Sequence, residues 1–126
     1  MSWEQSRIQV QARCHGMCEG CGAAMREVHH RQPRGMGGVY GAAAETAHAT
    51  SNLMGLCPGC HRFTETDPEQ ARQLGWLVRH GVSSRSVPAR MVTVNGVGWF
   101  RLDDEAGYHW VDEGTALFVV RLANRG

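Results

Sequence analysis

Four cysteines in two Cys-x-x-Cys pairs are the residues of this chain with the clearest chemistry. Cys18 and Cys21 form the first pair, and Cys57 and Cys60 form the second. A structural Zn²⁺ ion takes four thiolates in a tetrahedron, and pairs with this spacing are typical of such sites. The two pairs therefore predict a structural zinc. The rival interpretation is a thiol–disulfide site, which needs only one pair in a βαβ context, and neither pair has that context.

Cys14 is a fifth cysteine, four residues before Cys18. A combination of Cys14 with Cys18 or Cys21 remains an alternative. The Cys-x-x-Cys spacing favours Cys18 with Cys21, and Cys14 is then expected to be a small buried apolar residue.

Two adjacent histidines and an asparagine lie between the cysteine pairs, and a third histidine follows the last cysteine. His29 and His30 stand on a predicted strand, where neighbouring side chains point to opposite faces. One imidazole can then bind a metal while the other reaches a water molecule. His61 takes its direction from the preceding zinc ligand, and the amide of Asn52 can cross-link the loop backbone. The other histidines are expected to be ordinary: His15, His48, His80 and His109.

The predicted elements arrange these residues around a long loop. The first part of the chain should contain a helix over 3–13, a strand over 26–30, a loop over 32–51, a strand over 53–56 and a short helix over 60–63. A loop of that length is uncommon in a compact domain unless it has a function.

The second part begins with a helix-start signature, Asp67-Pro68, which predicts a helix that ends at Gly81. A linker over 83–88 follows. Asn95-Gly96 between two β-prone runs predicts a hairpin. Two further strands are expected over 108–111 and 116–122.

Three runs in the order CEGCG, EVHHRQPRGMGG and SNLMGLCPGCH resemble the four-cysteine branch of the HNH endonucleases. The resemblance covers about residues 13–70, and the whole layout is similar to small HNH proteins of bacteriophages. It implies an α+β fold with a ββα-metal (His-Me finger) core stapled by a Cys₄ zinc. The expected additions are a short N-terminal helix, a following helix and a small C-terminal antiparallel β appendage. The nuclease domain would span 1–81 and the appendage 89–126.

The resemblance also implies a role for each site residue. His30 occupies the position of the general base, and Asn52 is the residue that fastens the loop and orients the base. His29 and His61 would bind a catalytic divalent metal. Since many members carry Asp at the position of His29, this site has one negative charge fewer. That difference favours softer ions such as Mn²⁺, Ni²⁺ or Zn²⁺ over Mg²⁺ and leaves the choice of metal open.

The activity implied by the resemblance is metal-dependent hydrolysis of DNA phosphodiester bonds, with 5′-phosphate and 3′-hydroxyl products. Arg31 and Arg34 are candidates to bind DNA phosphates, with solvated loop charge as the alternative. A second interpretation is a non-catalytic zinc module that binds DNA or a protein partner. Such a module has no use for His30 or Asn52.

Composition gives weaker evidence about the class and the location of the protein. The chain has 126 residues and a net charge of +1, and all 13 basic residues are Arg. No apolar run approaches the roughly 18 residues of a membrane span, and the N-terminus lacks the apolar segment of a signal peptide. We therefore expect a cytoplasmic protein, in the host cytoplasm if it is phage-encoded. Its expected partners are DNA and other phage DNA-processing proteins, with no membrane association.

Overall fold

The computed structural model describes residues 2–33 and 46–125 and has the predicted α+β architecture. The helices in these ranges are α1 (Trp3–Cys14), α2 (Pro58–Thr66), α3 (Pro68–Gln73) and α4 (Glu113–Ala123). One antiparallel sheet pairs β1 (Glu27–His30) with β2 (Leu53–Leu56), and a second contains β3 (Ala89–Thr93), β4 (Gly96–Leu102) and β5 (Tyr108–Val111) in that order. Short 3₁₀ turns lie at Thr50–Asn52 and Ser84–Ser86. None of these described helices is long and apolar enough to cross a membrane.

Helix α1 begins at a complete capping box. The hydroxyl of Ser2 accepts a hydrogen bond from the N–H of Gln5, and the Gln5 side chain accepts one from the N–H of Ser2, which satisfies two amides at the helix start. The helix ends at Cys14, and His15 follows it in a left-handed conformation. One turn into α1, the hydroxyl of Ser6 donates to the carbonyl of His48 at 2.7 Å. This contact fixes the first turns of α1 beside the segment that leads into β2.

Strand β1 carries His29 and His30, and β2 leads directly into α2, which carries Cys60 and His61. The two strands are antiparallel, and all four residues of each are paired. Strand β2 is buried along its whole length, so the pair is anchored to the interior. Helix α2 starts immediately afterwards, because Cys57 caps it by accepting a hydrogen bond from the N–H of Cys60 and Pro58 occupies its first turn.

One hydrophobic core joins the two halves of the chain. Its buried members come from the first cysteine pair, β2, α3 and its following turn, and the three-stranded sheet: Cys18, Met54, Leu56, Ala71, Trp76, Ala89, Met91, Phe100 and Leu102. The backbone adds a direct link, since the N–H of Val92 donates to the carbonyl of Glu19 at 3.0 Å. The three-stranded sheet therefore shares its core with the first cysteine pair, β2 and α3.

The last element differs from the prediction, because residues 116–122 form part of helix α4 and not a strand. The carboxylate of Asp112 accepts hydrogen bonds from the N–H and the hydroxyl of Thr115, which caps the helix. Ala116 and Val120, one helical turn apart, are buried in a second cluster that includes Trp99 of β4. The cap and this buried stripe override the β propensity of the segment. The hairpin of β3 and β4 and the strand at 108–111 agree with the prediction.

Helix α3 is shorter than predicted and ends at Gln73, well before Gly81. The cause lies at Gly75, which has a φ of +73° and lies against the backbone of Pro88. A Cβ at this position would be 2.0 Å from the carbonyl oxygen of Pro88, so no other residue fits there. The chain leaves the helical conformation at this contact and turns Trp76 into the core.

Candidate metal centre and histidine cleft

The four predicted cysteine ligands lie together. The sulfur atoms of Cys18, Cys21, Cys57 and Cys60 are all within 4.8 Å of one another. The Sγ atoms of Cys21 and Cys57 are 3.7 Å apart, close to the edge of about 3.8 Å in a tetrahedron with Zn–S bonds of about 2.3 Å. Within the described residues, no other group of three or more His, Cys, Asp or Glu side chains has its ligand atoms so close. The cluster can hold a metal ion such as zinc.

Each cysteine pair lies in a turn whose backbone points an amide at a sulfur. The N–H of Gly20 donates to Cys18 Sγ at 3.4 Å, and the N–H of Cys60 donates to Cys57 Sγ at 3.4 Å. A Cβ at position 20 would lie 2.6 Å from the ring of Trp76. Glycine is therefore required for the first turn to approach the core and the second cysteine pair.

The electrostatics of the cluster favour a bound cation. Burial raises the pKa of the Cys18 and Cys60 thiols, whereas the hydrogen bond from the N–H of Cys60 lowers the pKa of Cys57 to about 7. Thiolates at these distances repel one another, so without a cation some of the sulfurs keep their protons. A divalent ion offsets the repulsion and allows all four to be thiolates.

Cys14 lies outside the cluster and is fully buried. Its sulfur is 3.5 Å from the sulfur of Met25, and a Cβ on Gly55 would lie 3.2 Å from it. Burial raises the pKa of the thiol. Cys14 thus fills the interior between α1 and β2, which is the apolar role that the spacing favours.

His29 is buried on the inner face of β1, with 4% of its surface exposed. Its Nε2 atom lies 2.7 Å from the carbonyl oxygen of Trp76. Because a carbonyl can only accept, Nε2 carries the proton and Nδ1 keeps its lone pair. Burial lowers the pKa of His29 to about 4, so the ring is neutral near pH 7. A neutral imidazole held by a backbone carbonyl is the usual state of a metal-binding histidine.

His61 lies beside His29, and the ring centroids are 5.1 Å apart in an edge-on arrangement. The Nδ1 atom of His61 is 2.6 Å from Oε2 of Glu27, the first residue of β1. The carboxylate accepts this hydrogen bond, so Nδ1 carries a proton and Nε2 is the nitrogen through which the ring could bind a metal. Glu27 was not singled out in the sequence, since nothing in its spacing connects it to a histidine 34 residues away.

His29, His30 and His61 all line one surface cleft of about 510 Å³. Their nitrogen atoms do not form a closed set of ligands like that of the cysteines. The structure thus brings the three predicted histidines to one open cleft.

His30 lies on the other face of β1 from His29 and is half-buried. Its ring stacks on the indole of Trp3, with centroids 5.0 Å apart and planes 13° from parallel. Its Nε2 atom is 3.3 Å from Nδ1 of His48. His48, which was expected to be an ordinary histidine, contacts the predicted base. Spacing carried no signal for this contact, which the placement of α1 creates.

Asn52 makes the cross-link between chain segments that its position predicts. Its Oδ1 atom accepts hydrogen bonds from the N–H of Gln32 at 2.9 Å and the hydroxyl of Ser84 at 2.7 Å. Its Nδ2 atom donates to the carbonyls of Ala47 at 3.0 Å and Gln32 at 3.4 Å. Asn52 therefore joins the segment that leaves β1 to the segment that returns to β2.

Arg31 does not face solvent, and the prediction that it binds DNA phosphates is wrong. Its side chain is fully buried, and burial lowers its pKa to about 9. The guanidinium donates to four backbone carbonyls, those of Gly75, Ser51, Ser84 and Val87, at 2.6–3.0 Å. Its donors are committed to the interior, so Arg31 holds surrounding loops together. Arg34, the other predicted phosphate contact, lies outside the described residues.

No protein-family model, no curated protein and no solved structure matches this chain. A functional assignment therefore depends on the motifs and on the geometry of the cluster and the cleft.

Proposed function

We propose that the protein is a metal-dependent endonuclease of the HNH type, which hydrolyses phosphodiester bonds in DNA and leaves 5′-phosphate and 3′-hydroxyl ends. The observation that carries this proposal is the convergence of His29, His30 and His61 on one cleft. The cleft belongs to a unit in which two antiparallel strands lead directly into a helix, and we interpret this unit as a ββα-metal core. The ordered motifs of the sequence support the same interpretation.

In this proposal the four-cysteine cluster binds zinc as a structural ion. A closed set of four thiolates leaves no position for water or substrate, so the ion stabilises the fold and does not react. It also positions the cleft, because His61 follows directly after Cys60 on α2.

His29 through Nδ1 and His61 through Nε2 would hold a second, catalytic divalent metal. When bound, such an ion stabilises the charge that develops on the phosphate and on the leaving oxygen. Glu27 and the Trp76 carbonyl fix the tautomers of the two ligands. Since both ligands would be imidazoles and neither a carboxylate, we expect Mn²⁺, Ni²⁺ or Zn²⁺ to be preferred over Mg²⁺.

His30 would act as the general base that takes a proton from the attacking water. His30 lines the cleft beside His29 on the same strand, so the base and the metal ligand are fixed by the same backbone. Asn52 supports this arrangement, because it binds the backbone of Gln32, two residues after His30. Its role is to orient the base and not to react.

The test is cleavage of supercoiled plasmid by the zinc-loaded protein with Mn²⁺ or Ni²⁺, in the presence and absence of EDTA. We expect cleavage that EDTA abolishes. His30→Ala should keep its fold and its zinc but lose about 10²–10⁴-fold in rate, the usual contribution of a general base. His80→Ala is the matched control, since His80 is exposed and does not line the cleft, and it should cleave at the wild-type rate.

Variants of the metal ligands should respond to added metal differently from a variant of the base. His29→Ala and His61→Ala remove ligands, so excess Mn²⁺ or Ni²⁺ should partly restore their activity and should not restore His30→Ala. Unchanged cleavage by His30→Ala would contradict its role as base. If the wild-type protein binds DNA and cleaves with none of these metals, the alternative of a non-catalytic zinc module is favoured.

A further inference from the structure

A second surface groove adjoins the histidine cleft. It has a volume of about 270 Å³, and the described residues that line it are Pro33, Arg72, Leu77, Val78, Arg79 and His80. Pro33 and Leu77 also line the histidine cleft, so a ligand that fills the cleft can extend directly into the groove. We call this second depression the arginine groove, after Arg72 and Arg79.

The arginine groove differs from the histidine cleft in charge. None of the described residues that line the groove is acidic, whereas Glu65 lines the cleft. Within the described part of the chain, neither Arg72 nor Arg79 forms an ion pair. Arginine keeps its charge at every pH near neutrality. The groove is therefore a positive surface beside a cleft of imidazoles and a carboxylate.

Hydrogen bonds fix the groove to the strand that carries the site. The N–H of Val78 donates to the carbonyl of Arg31 at 2.7 Å, and Nε2 of Gln32 donates to the carbonyl of Arg79 at 2.6 Å. The carbonyl that holds His29 belongs to the same segment, three residues before Arg79. Three residues of chain span at most about 11 Å, so the backbone of Arg79 lies within that distance of the group that orients His29.

We propose that the arginine groove binds the sugar–phosphate backbone of DNA, with Arg72 and Arg79 on phosphates next to the one in the histidine cleft. The inference rests on the proposed function, which makes DNA the substrate. A guanidinium presents its donors as a fork that fits phosphate oxygens. Phosphate contacts fix the position of a protein on the duplex without reading its sequence. The groove thus takes the role that the sequence assigned to Arg31.

The first test measures DNA binding without cleavage. The anisotropy of a short labelled duplex is followed with the zinc-loaded protein and no added Mn²⁺ or Ni²⁺, over a range of salt concentrations. Each phosphate contact contributes about 0.9 to the slope of log affinity against log salt. Arg72→Gln and Arg79→Gln should each reduce this slope by about one. Each should weaken binding about tenfold at about 0.1 M salt, which is the effect of one released counterion.

Three controls show whether the effect belongs to the two guanidiniums of the groove. Arg101→Gln removes the same charge from an exposed position on β4 that lines neither depression, and it should keep the wild-type slope. His80→Ala changes the groove but no guanidinium, and it should also keep the slope. Arg79→Lys retains the charge and should keep most of it. A wild-type slope in both glutamine variants of the groove, or an equal loss in Arg101→Gln, would overturn the assignment.

Kinetics tests whether the groove binds substrate and takes no part in the reaction. In the plasmid assay, Arg79→Gln should raise KM and leave kcat near the wild-type value, because a contact to a neighbouring phosphate is the same in the ground state and the transition state. A lower kcat with an unchanged KM would contradict a binding role. Zinc content and far-ultraviolet circular dichroism of each variant show that weaker binding is not a lost fold.

The outcomes separate this inference from the proposed function. If the wild-type protein cleaves plasmid while both glutamine variants bind the duplex as tightly as it does, only the groove assignment fails. If the wild-type protein binds the duplex through the groove and cleaves with none of the metals, the groove assignment stands and the proposed catalysis fails. If it does not bind the duplex, both fail. Displacement of the duplex by polyglutamate at equal charge would indicate a surface for acidic polymers in general and would overturn the assignment to DNA.

Discussion

The four-cysteine cluster and the histidine cleft lie at the start of α2, but they are built in different ways. The cluster comes from two short turns whose own amides point at the sulfurs. The three histidines of the cleft instead contact groups that are distant from them in the chain, namely Glu27, the Trp76 carbonyl and His48. The comparison indicates that two local turns present the four sulfurs of the cluster. An open site proposed to react depends on the whole fold.

The largest effect is expected when one of the four cysteines of the cluster is replaced. Cys57→Ser should yield unfolded or insoluble protein, because structural zinc contributes about 10–16 kcal/mol of apparent binding free energy. That contribution equals or exceeds the net stability of about 5–15 kcal/mol of a typical domain. Elemental analysis and circular dichroism provide the measurement. Cys14→Ala is the matched control and should keep its zinc, since Cys14 lies outside the cluster. A folded, zinc-free Cys57→Ser protein would contradict the prediction.

A smaller but still large effect is expected at Arg31, which the sequence associated with the cleft and the structure places in the core. Arg31→Leu leaves four buried carbonyls without their donor. We expect the free energy of unfolding to fall by about 3–5 kcal/mol, measured by urea denaturation. Arg62→Ala, an exposed change on α2, should stay within about 0.5 kcal/mol of wild type. A loss at Arg31 no greater than that of Arg62 would mean that the loops do not depend on this guanidinium.

Arg31 illustrates what the sequence could not predict. Its carbonyl partners are 20–56 residues away in the chain, and their convergence is a product of tertiary packing. The contact between His30 and His48 has the same origin. The cysteine pairs, strands β1 and β2 and the hairpin of β3 and β4 were predictable, because spacing, alternation and turn residues are local signals.

The C-terminal helix shows a different kind of limit, because its signals were present and outweighed. Asp112 followed by Thr115 is a cap, and Ala116 and Val120 have helical spacing. The run of Phe and Val residues favours a strand when propensity is considered alone. The cap at Asp112 and the packing of Ala116 and Val120 with Trp99 outweigh the β propensity of 116–122, so this segment is a helix.

Substitution of Asn52 should have an intermediate effect and should lower both the stability of the fold and the rate of cleavage. Asn52→Ala removes the cross-link between Gln32 and Ala47, so the free energy of unfolding should fall by about 1–3 kcal/mol and plasmid cleavage should decrease. Zinc content should not change. Asn52→Asp keeps the acceptor for the N–H of Gln32 and the hydroxyl of Ser84 but loses the two donated hydrogen bonds. An alanine variant with wild-type cleavage would refute the orienting role of Asn52.

The smallest expected effect is a change in metal affinity on substitution of Glu27. It tests whether the histidine cleft and the four-cysteine cluster bind metal independently. Glu27→Gln keeps an acceptor near Nδ1 of His61 and removes the negative charge that holds this ring. Loss of such an outer partner typically weakens metal binding 10–100-fold. Because the side chain of Glu27 is 44% exposed, we expect the low end, about a tenfold weaker affinity of the cleft for Ni²⁺. Calorimetric titration of the zinc-loaded protein measures this affinity.

The control for Glu27→Gln is Glu69→Gln, an exposed change on α3 outside the cleft, which should bind Ni²⁺ as the wild type does. Zinc in the cysteine cluster should be unaffected by both changes, because no cysteine depends on Glu27 for a described hydrogen bond. If Glu27→Gln lost its zinc, the cluster and the cleft would have to be one cooperative unit. If its Ni²⁺ affinity were unchanged, the orientation of His61 would come from α2 alone, and the cleft would be as locally encoded as the cluster.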